Sequence, residues 1–340
     1  MIVGGGVVGC YLGSKIQDQE IWEAKNQMHE KTCSALFSRN IAKFGIPVEE
    51  SCLNEVYGAR FFSDNESFEV RQRTVQAHVC DRLEFQRSVE KMATDNGCKI
   101  TYGKRWNDEQ DDYIMGCDGA ISGVMKSMNM TRKFIYTYQV EAQLKSDPDF
   151  VQLHFGGFAP GFFAWIIPMN ENEAKIGLGI QQGTGNPKAR FDEFVAKRNI
   201  NLSGVSKIQS ALIPVYDKKP VTLDNKALCG DAAAQVKNTT GGGILFGCAA
   251  ADILKEAVDK QDLTYYETRH RKELIPKLND HDLVSKILQR ADYDRLFKAV
   301  RERHVDELIS EHGDMENLSG LKKQFFKRPL TMLAMARAMI

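Results

Sequence analysis

Residues 1–25 read MIVGGGVVGCYLGSKIQDQEIWEAK, and this stretch decides the fold. A short apolar strand leads into Gly4, Gly6 and Gly9, which have G-x-G-x-x-G spacing. A helix-compatible segment and a second short strand follow, and that strand ends in an acid, Glu23, about 20 residues after the first glycine. This order predicts a βαβ unit that opens the chain.

The three glycines have distinct physical roles in such a unit. The first allows the tight turn, the second lets the backbone approach a pyrophosphate, and the third lets helix and strand pack closely. The helix N-terminus faces the phosphates, and Glu23 would accept hydrogen bonds from the adenosine ribose. The stretch therefore predicts a dinucleotide site, with a glycine-rich turn in another α/β protein as the alternative.

Composition limits the function classes. The chain has 340 residues, 43% of them hydrophobic and 26% charged, with a formal net charge of zero. No global field would recruit nucleic acid, and the eight cysteines form no C-x-x-C pair of the kind that metal sites use. We expect no metal, no nucleic acid, no secretory signal and a reduced, cytoplasmic setting.

The pattern along the chain predicts an α/β fold with an inserted domain. Segments 134–144, 150–156, 162–168 and 174–181 alternate as antiparallel strands do, and the chain after Asp262 is rich in helix formers. We expect a Rossmann-like dinucleotide-binding domain, an inserted antiparallel β-sheet substrate domain and a C-terminal helical region. Their predicted ranges are 1–55, 76–130 and 210–260 for the first, 56–75 and 131–209 for the second, and 261–340 for the third.

Three further segments join the glycine loop. Asp81-Arg82 opens a predicted helix, a strand ends at Asp118-Gly119, and Gly230-Asp231 precedes a glycine run at the next predicted helix start. Singly these are a cap, a turn and a linker. The order and spacing of all four segments resemble the flavoprotein superfamily of p-hydroxybenzoate hydroxylase and the geranylgeranyl reductases. The resemblance implies FAD, with these cofactor-binding residues: Gly4, Gly6, Gly9, Glu23, Arg82, Asp118, Gly230, Asp231, Gly241, Gly242 and Gly243.

A further stretch is similar to the signature of the geranylgeranyl reductases alone. Residues 163–168 read FAWIIP, and Gly177-Leu178-Gly179 follows eight residues later. The resemblance implies that these residues line an apolar channel for a polyprenyl chain. The alternative is an ordinary aromatic hairpin that lines a protein core. The channel residues would be Phe163, Trp165, Pro168, Gly177 and Gly179.

Residues 33–38 (CSALFS) are similar to the cysteine stretch that lies near the flavin in that family. Cys33 is therefore the one candidate for a catalytic role, or else a small packing residue. Ala35 stands where the family has glycine. Lys237 lies close in sequence to the flavin loop, and as a lysine it is predicted to have a solvent-exposed side chain.

The last twenty residues carry five basic residues and no acid, with apolar residues that extend to Met339 and Ile340. We expect a terminal helix docked on the core, or an interfacial helix on anionic lipid, in two pieces because Pro329 interrupts it.

The resemblance implies a reductase that saturates isolated C=C bonds of geranylgeranyl or polyprenyl chains by hydride transfer from reduced flavin. The electron donor would be NAD(P)H or reduced ferredoxin. An aromatic hydroxylase on the same scaffold and a non-catalytic isoprenoid-binding protein are the alternatives.

Overall fold

The computed structural model describes residues 1–338 as strands, helices and connecting turns. The strands are β1 (Ile2–Val3), β2 (Glu20–Glu23), β3 (Leu36–Ser38), β4 (Cys52–Val56), β5 (Gly58–Phe62), β6 (Ser67–Arg71), β7 (Ala77–Cys80), β8 (Lys99–Tyr102), β9 (Ile114–Gly116), β10 (Phe134–Gln143), β11 (Phe150–His154), β12 (Ala164–Pro168), β13 (Glu173–Gln181), β14 (Ser203–Pro214), β15 (Thr222–Leu223) and β16 (Lys226–Leu228). The α-helices are α1 (Val7–Gly13), α2 (Arg82–Asp95), α3 (Gly123–Ser127), α4 (Pro187–Lys197), α5 (Ile244–Asp259), α6 (Leu263–Glu273), α7 (Ile275–Leu288), α8 (Tyr293–Glu302), α9 (Val305–His312), α10 (Ser319–Phe326) and α11 (Pro329–Ala338).

A six-stranded sheet in the order β15-β16-β9-β1-β2-β8 carries the predicted dinucleotide unit. β1 pairs in parallel with β2 and β9, and β16 pairs in parallel with β9. The central strands are apolar on both faces because helices cover them, and Ile2, Ile21 and Ile114 are fully buried. The predicted α/β class with a Rossmann-like unit is confirmed.

A seven-stranded sheet in the order β14-β10-β13-β12-β11-β5-β6 forms the second layer. The four predicted strands between residues 134 and 181 are all present, and β10, β13, β12 and β11 are successive antiparallel neighbours. β5, which comes from an earlier part of the chain, extends the sheet by pairing in parallel with β11. A three-stranded sheet, β3-β7-β4, lies outside both.

The division into three parts remains our proposal. β5, β6 and β10 to β14 share one sheet, while the parallel strands share another with α1 and α5 in contact. The ranges 56–75 and 131–209 would then form the inserted part, and 261–340 the helical part.

The residues at the helix ends act as the sequence predicts. Asp81 caps α2, since its carboxylate accepts hydrogen bonds from the backbone amides of Leu83 and Glu84 at 2.9 Å. Pro329 begins α11, so the terminal segment is two helices and not one. Met335 of α11 packs against the core of the seven-stranded sheet. The predicted apolar residues Met339 and Ile340 lie outside the described residues.

Across residues 1–338, no helix has both the length and the apolar character needed to cross a membrane. In the same range no three His, Cys, Asp or Glu side chains are grouped to hold a metal ion.

Candidate functional site

The glycine loop between β1 and α1 depends on the absence of side chains. Gly4 has a φ of +104°, and a Cβ there would lie 2.5 Å from the Cys117 carbonyl oxygen. A Cβ on Gly9 would lie 1.9 Å from the carbonyl oxygen of Gly4, so the loop and helix touch directly. A Cβ on Gly6, at the N-terminus of α1, would meet no atom of the described residues within 4 Å. The loop is closed against its own fold and open at the helix N-terminus.

Glu23 braces this loop from the end of β2. One carboxylate oxygen accepts a hydrogen bond from the Gly5 amide at 2.9 Å, and the other accepts one from the Lys25 amide at 2.8 Å. The structure therefore brings the acid to the glycine loop, and its bond to a ribose stays a prediction.

Arg82 lies beneath the same loop and is 3% exposed. Its terminal nitrogens donate to the Gln86 side-chain oxygen at 3.2 and 3.3 Å, and Gln86 in turn donates to the Gly5 carbonyl at 3.0 Å. Within the part of the chain that the structure describes, the Nε atom of Arg82 is buried and has no hydrogen-bond partner. A buried donor of this kind is costly unless a further acceptor comes within reach.

Asp118 lies at the end of β9, on the opposite side of the loop. One carboxylate oxygen accepts a hydrogen bond from the Gly123 amide at 2.7 Å, while Oδ1 is buried and has no hydrogen-bond partner among the described residues. Burial raises the pKa of Asp118 above its ordinary value, against the hydrogen bonds from Ser122 and the helix amides.

Asp231 reaches the site from a distant part of the sequence. Its carboxylate accepts a hydrogen bond from the Lys31 ammonium at 2.7 Å, and a Cβ on Gly243 would lie 3.0 Å from its other oxygen. Gly230, with a φ of +67°, lies over Val8 of α1. Sequence reasoning missed Lys31, although its position two residues before Cys33 was a usable signal.

The glycine run at the start of α5 meets the signature hairpin. Gly241 has a φ of +74°, and a Cβ there would lie 2.8 Å from Ile213 and 3.4 Å from the Phe162 ring. Gly242 faces Lys237 in the same way, at 3.1 Å. The flavin loop predicted at residues 241–243 and the aromatic hairpin are therefore in direct contact.

Within the hairpin, the two signature glycines make room for aromatic rings. Gly177 is the cross-strand partner of Trp165, and a Cβ on it would lie 2.7 Å from the indole. A Cβ on Gly179 would lie 2.5 Å from the Phe162 ring. Trp165 is 8% exposed, and its ring nitrogen donates to the Gln139 side chain at 3.0 Å.

The other two channel candidates lie on either side of Trp165. Phe163 stacks on Phe162 with ring centroids 4.3 Å apart. Pro168 ends β12 and its carbonyl accepts a hydrogen bond from the Asn54 amide group at 3.1 Å. The role of all five residues as channel walls stays a prediction.

A narrow cleft lies between the hairpin, the flavin loop and the C-terminal helices, with about 250 Å³ of empty space including its open mouth. Phe163 lines it and Trp165 does not. The other lining residues are Phe155, Gly161, Phe162, Asn238, Thr239, Ser285, Leu288, Gln289 and Tyr293.

The prediction of a solvated Lys237 is wrong. The side chain is 6% exposed, and its ammonium donates to the Glu316 carboxylate at 2.9 Å and to the Met315 carbonyl at 3.0 Å. The other Glu316 oxygen accepts hydrogen bonds from Ser38 at 2.8 Å and Asn40 at 2.6 Å. No local pattern indicated this, because Glu316 arrives from the C-terminal region to enclose the lysine.

The residues present fit FAD by their own chemistry. An open helix N-terminus, an unpartnered guanidinium nitrogen and an unpartnered carboxylate oxygen surround one loop, which suits an anionic, hydroxyl-bearing ligand. A second glycine-rich helix start and Asp231 lie at the other end. A fold of this kind with such a site is typical of flavin-dependent oxidoreductases.

Comparison with known proteins narrows the class. A family model described as the geranylgeranyl reductase catalytic domain matches residues 132–212. The digeranylgeranylglycerophospholipid reductase of Methanocaldococcus jannaschii is 25% identical, over 96% of this chain and 92% of its own length. A solved geranylgeranyl bacteriochlorophyll reductase-like protein from Thermoplasma acidophilum has a TM-score of 0.83, with 19% identity, 100% of this chain and 98% of that chain covered. The chain is therefore similar to geranylgeranyl reductases over nearly its whole length, and residues 132–212 match their catalytic domain.

The hydroxylases are relatives in fold. The p-nitrophenol 4-monooxygenase of Pseudomonas putida has a TM-score of 0.65 at 14% identity, over 97% of each chain. That likeness is one of fold alone. The signature hairpin gives no support to the hydroxylase alternative.

Proposed function

We propose that the protein reduces isolated C=C bonds in geranylgeranyl or longer polyprenyl chains, carried by membrane lipids or their prenyl precursors. The observation that carries this proposal is the contact between Gly241 of the flavin loop and Phe162 beside the signature hairpin. Because Phe162 precedes the predicted channel residue Phe163, this proximity supports a substrate channel beside the predicted flavin-ring end of the cofactor site. Relatives named for geranylgeranyl lipid reduction support the same assignment.

Some residues of the chain would anchor the cofactor, and others would enclose the substrate. FAD, when bound and reduced, would supply a hydride to one alkene carbon. Gly4, Gly6 and Glu23 would hold the adenosine end, and the backbone amides of Gly242 and Gly243 would face the electron-rich edge of the ring. Asp231 would accept hydrogen bonds from the ribityl hydroxyls, in exchange for its present bond to Lys31.

The substrate side is dry and aromatic. Phe163 and Trp165 are 7% and 8% exposed, and the aromatic cluster continues through Phe155 and Phe297. An isolated alkene is a poor hydride acceptor, so such walls would contribute by fixing its position and excluding water. NAD(P)H and reduced ferredoxin both remain donors to test.

We also propose that the protein meets a lipid surface through a C-terminal corner, defined as Phe326, Lys327, Arg328, Leu330 and Leu333. Phe326 and Leu330 are 73% and 76% exposed, and Leu333 is 50% exposed. The two cations between them suit anionic headgroups while the apolar side chains enter the interface. Vesicles of phosphatidylglycerol should sediment the protein and neutral vesicles should not. Retention of that binding by a Phe326→Glu, Leu330→Glu variant would contradict the corner's role.

A single anaerobic experiment tests the proposed reaction. The protein is loaded with FAD, reduced, and mixed with a geranylgeranyl glycerophospholipid in the absence of oxygen. We expect the oxidised flavin spectrum to return as the lipid is saturated. Reoxidation only with oxygen and a phenol would indicate a hydroxylase, and a protein that takes up no FAD would indicate an isoprenoid-binding protein.

A further inference from the structure

Lys175 is a lysine inside a strand whose neighbours are apolar. It lies in the middle of β13, is 2% exposed, and is two residues before the signature Gly177. Alternation along a strand puts Lys175, Gly177 and Gly179 on one face. In the sequence, AKIGLGI, this lysine is a visible exception to the apolar pattern of the strand.

The side chain leaves its own sheet and binds two backbone carbonyls of other segments. Its ammonium donates to the carbonyl of Ser34 at 3.1 Å and to the carbonyl of Cys80 at 3.0 Å. Ser34 belongs to the cysteine stretch, and Cys80 ends β7 immediately before the Asp81 cap of α2. One amino group therefore ties the signature strand to both of these segments.

The turn that Lys175 contacts is strained. Ala35 has a φ of +51°, in the left-handed region that disfavours residues with a Cβ. The Ala35 amide lies 3.4 Å from the Cys33 sulfur, and the Ala35 carbonyl accepts a hydrogen bond from the Cys80 amide at 2.9 Å. A strained conformation persists only where its surroundings hold it, and Lys175 bonds to both sides of this link.

The charge of Lys175 is balanced by its surroundings. Burial lowers the pKa of the lysine, while the carboxylates of Glu141 and Glu30 and the Cys33 thiol favour its charged form. Lys207 opposes that effect and is itself paired with Glu30. A buried cation near two carboxylates and bonded to two carbonyls is a built arrangement, and truncating the side chain removes the ammonium that both carbonyls share.

We propose that Lys175 is a positioning residue that holds the Cys33–Ala35 turn in place against the flavin and couples that turn to the signature strand. This inference rests on the proposed function only in taking the turn to line the flavin ring. The alternative is a lysine that contributes stability and nothing to the position of Cys33.

The test uses Lys175→Met, which keeps the length and loses the donor, with Lys175→Arg as the conservative variant. Lys207→Met is the matched control, since it removes a lysine near the same carboxylates without touching the turn. Each variant is purified with FAD, and the rate of Cys33 alkylation by iodoacetamide is followed by peptide mass spectrometry in the absence of lipid. Turnover is then measured as kcat and KM.

We expect alkylation of Cys33 about tenfold faster in Lys175→Met, which corresponds to about 1.4 kcal/mol of easier opening. We also expect kcat to fall about tenfold with KM within twofold, and Lys175→Arg to recover part of both effects. Unchanged alkylation and kcat in flavin-loaded Lys175→Met would overturn the proposal. So would equal effects from Lys207→Met.

If Lys175→Met takes up no FAD, Lys175→Gln replaces it, because an amide can still donate to one carbonyl. Its alkylation rate should lie between those of the wild type and the apoprotein, and a rate equal to the wild type would overturn the proposal. A wild type that alkylates as expected but reduces no lipid would remove the proposed function and leave the role of Lys175 in the turn intact.

Discussion

Two glycine-rich helix starts, at α1 and α5, lie at opposite ends of the candidate site and are built differently. At α1 the neighbours of Gly4 and Gly9 are backbone atoms, and the acid that supports the loop lies on the adjacent strand. At α5 a Cβ on Gly242 would lie closest to the Lys237 side chain, and one on Gly243 would lie close to the side chains of Val236 and Asp231. The first start is closed by backbone atoms of the glycine loop and of Cys117, whereas the second is surrounded by side chains, of which Asp231 and Lys237 pair with the distant residues Lys31 and Glu316.

The difference explains what each end can do. A backbone turn with an open helix N-terminus binds a phosphate in nearly any protein of this architecture. The α5 end has a buried ion pair, Lys237 with Glu316, and a more exposed one, Lys31 with Asp231. The first end would anchor the cofactor, and the second would set the surroundings of its reacting ring.

The largest effect is expected from a pair of substitutions that separates fold from binding at α1. Gly9→Ala puts a Cβ 1.9 Å from the Gly4 carbonyl, so the apoprotein should lose several kcal/mol of stability, on the order of 3 kcal/mol or more, and bind no FAD. Gly6→Ala meets no atom of the protein within 4 Å, so the thermal unfolding of the apoprotein should be unchanged while FAD affinity falls at least tenfold. Equal FAD affinity in Gly6→Ala and the wild type would remove the helix N-terminus from the cofactor site.

Next in size is the buried ion pair at the α5 end. Lys237→Met leaves the Glu316 carboxylate, 15% exposed, without its ammonium partner, and should cost about 3–5 kcal/mol in urea unfolding. The Lys237→Met, Glu316→Leu double variant should recover a large part of that cost, although Ser38 and Asn40 lose an acceptor. Additive losses in the double variant would show that the two groups are not coupled.

A smaller effect concerns acid stability at the same end. His281 forms a hydrogen bond at 2.8 Å with Thr239, two residues before the flavin loop. Burial lowers the pKa of His281 from 6.5 to about 4, and the charge of Lys237 acts in the same direction. Glu316 and Asp280 favour the charged imidazolium and oppose this shift. Because the folded pKa is depressed, the neutral imidazole stabilises the fold above pH 6.5, and that stability is lost as the pH falls toward 4.

In His281→Asn the free energy of unfolding should therefore depend less on pH between 6.5 and 4, by about 3 kcal/mol over that window. His154 and His270, whose pKa values burial lowers to about 3 and about 4, would keep their own contributions and act as the internal reference. An identical pH dependence in the variant and the wild type would contradict the assignment.

The smallest effect is at Ala35, whose φ of +51° lies in the left-handed region. Ala35→Gly removes a Cβ from the left-handed region and should raise the free energy of unfolding by up to about 1 kcal/mol. Ala174→Gly, in the extended strand β13, is the control and should lower it. A loss of stability in both would show that the turn is unstrained.

Features that depend on local sequence could be predicted, whereas features that depend on residues brought together by the fold could not. The βαβ unit, the α2 cap at Asp81 and the hairpin between Trp165 and Gly177 could be predicted because each depends on local spacing. The burial of Lys237 and the reach of Lys175 could not, since each depends on a partner that the fold brings from another segment. The parallel pairing of β5 with β11 was missed for the same reason.

The most direct test of the central claim is isotopic. The FAD-loaded protein is reduced anaerobically in D₂O, given a geranylgeranyl glycerophospholipid, and the lipid is analysed by mass spectrometry while flavin absorbance is recorded. The account predicts reoxidised flavin together with two deuterium atoms at each saturated double bond, one delivered as hydride from the flavin and one as a proton equivalent. Flavin that stays reduced beside an unchanged lipid, and reoxidises only when oxygen enters, would contradict it.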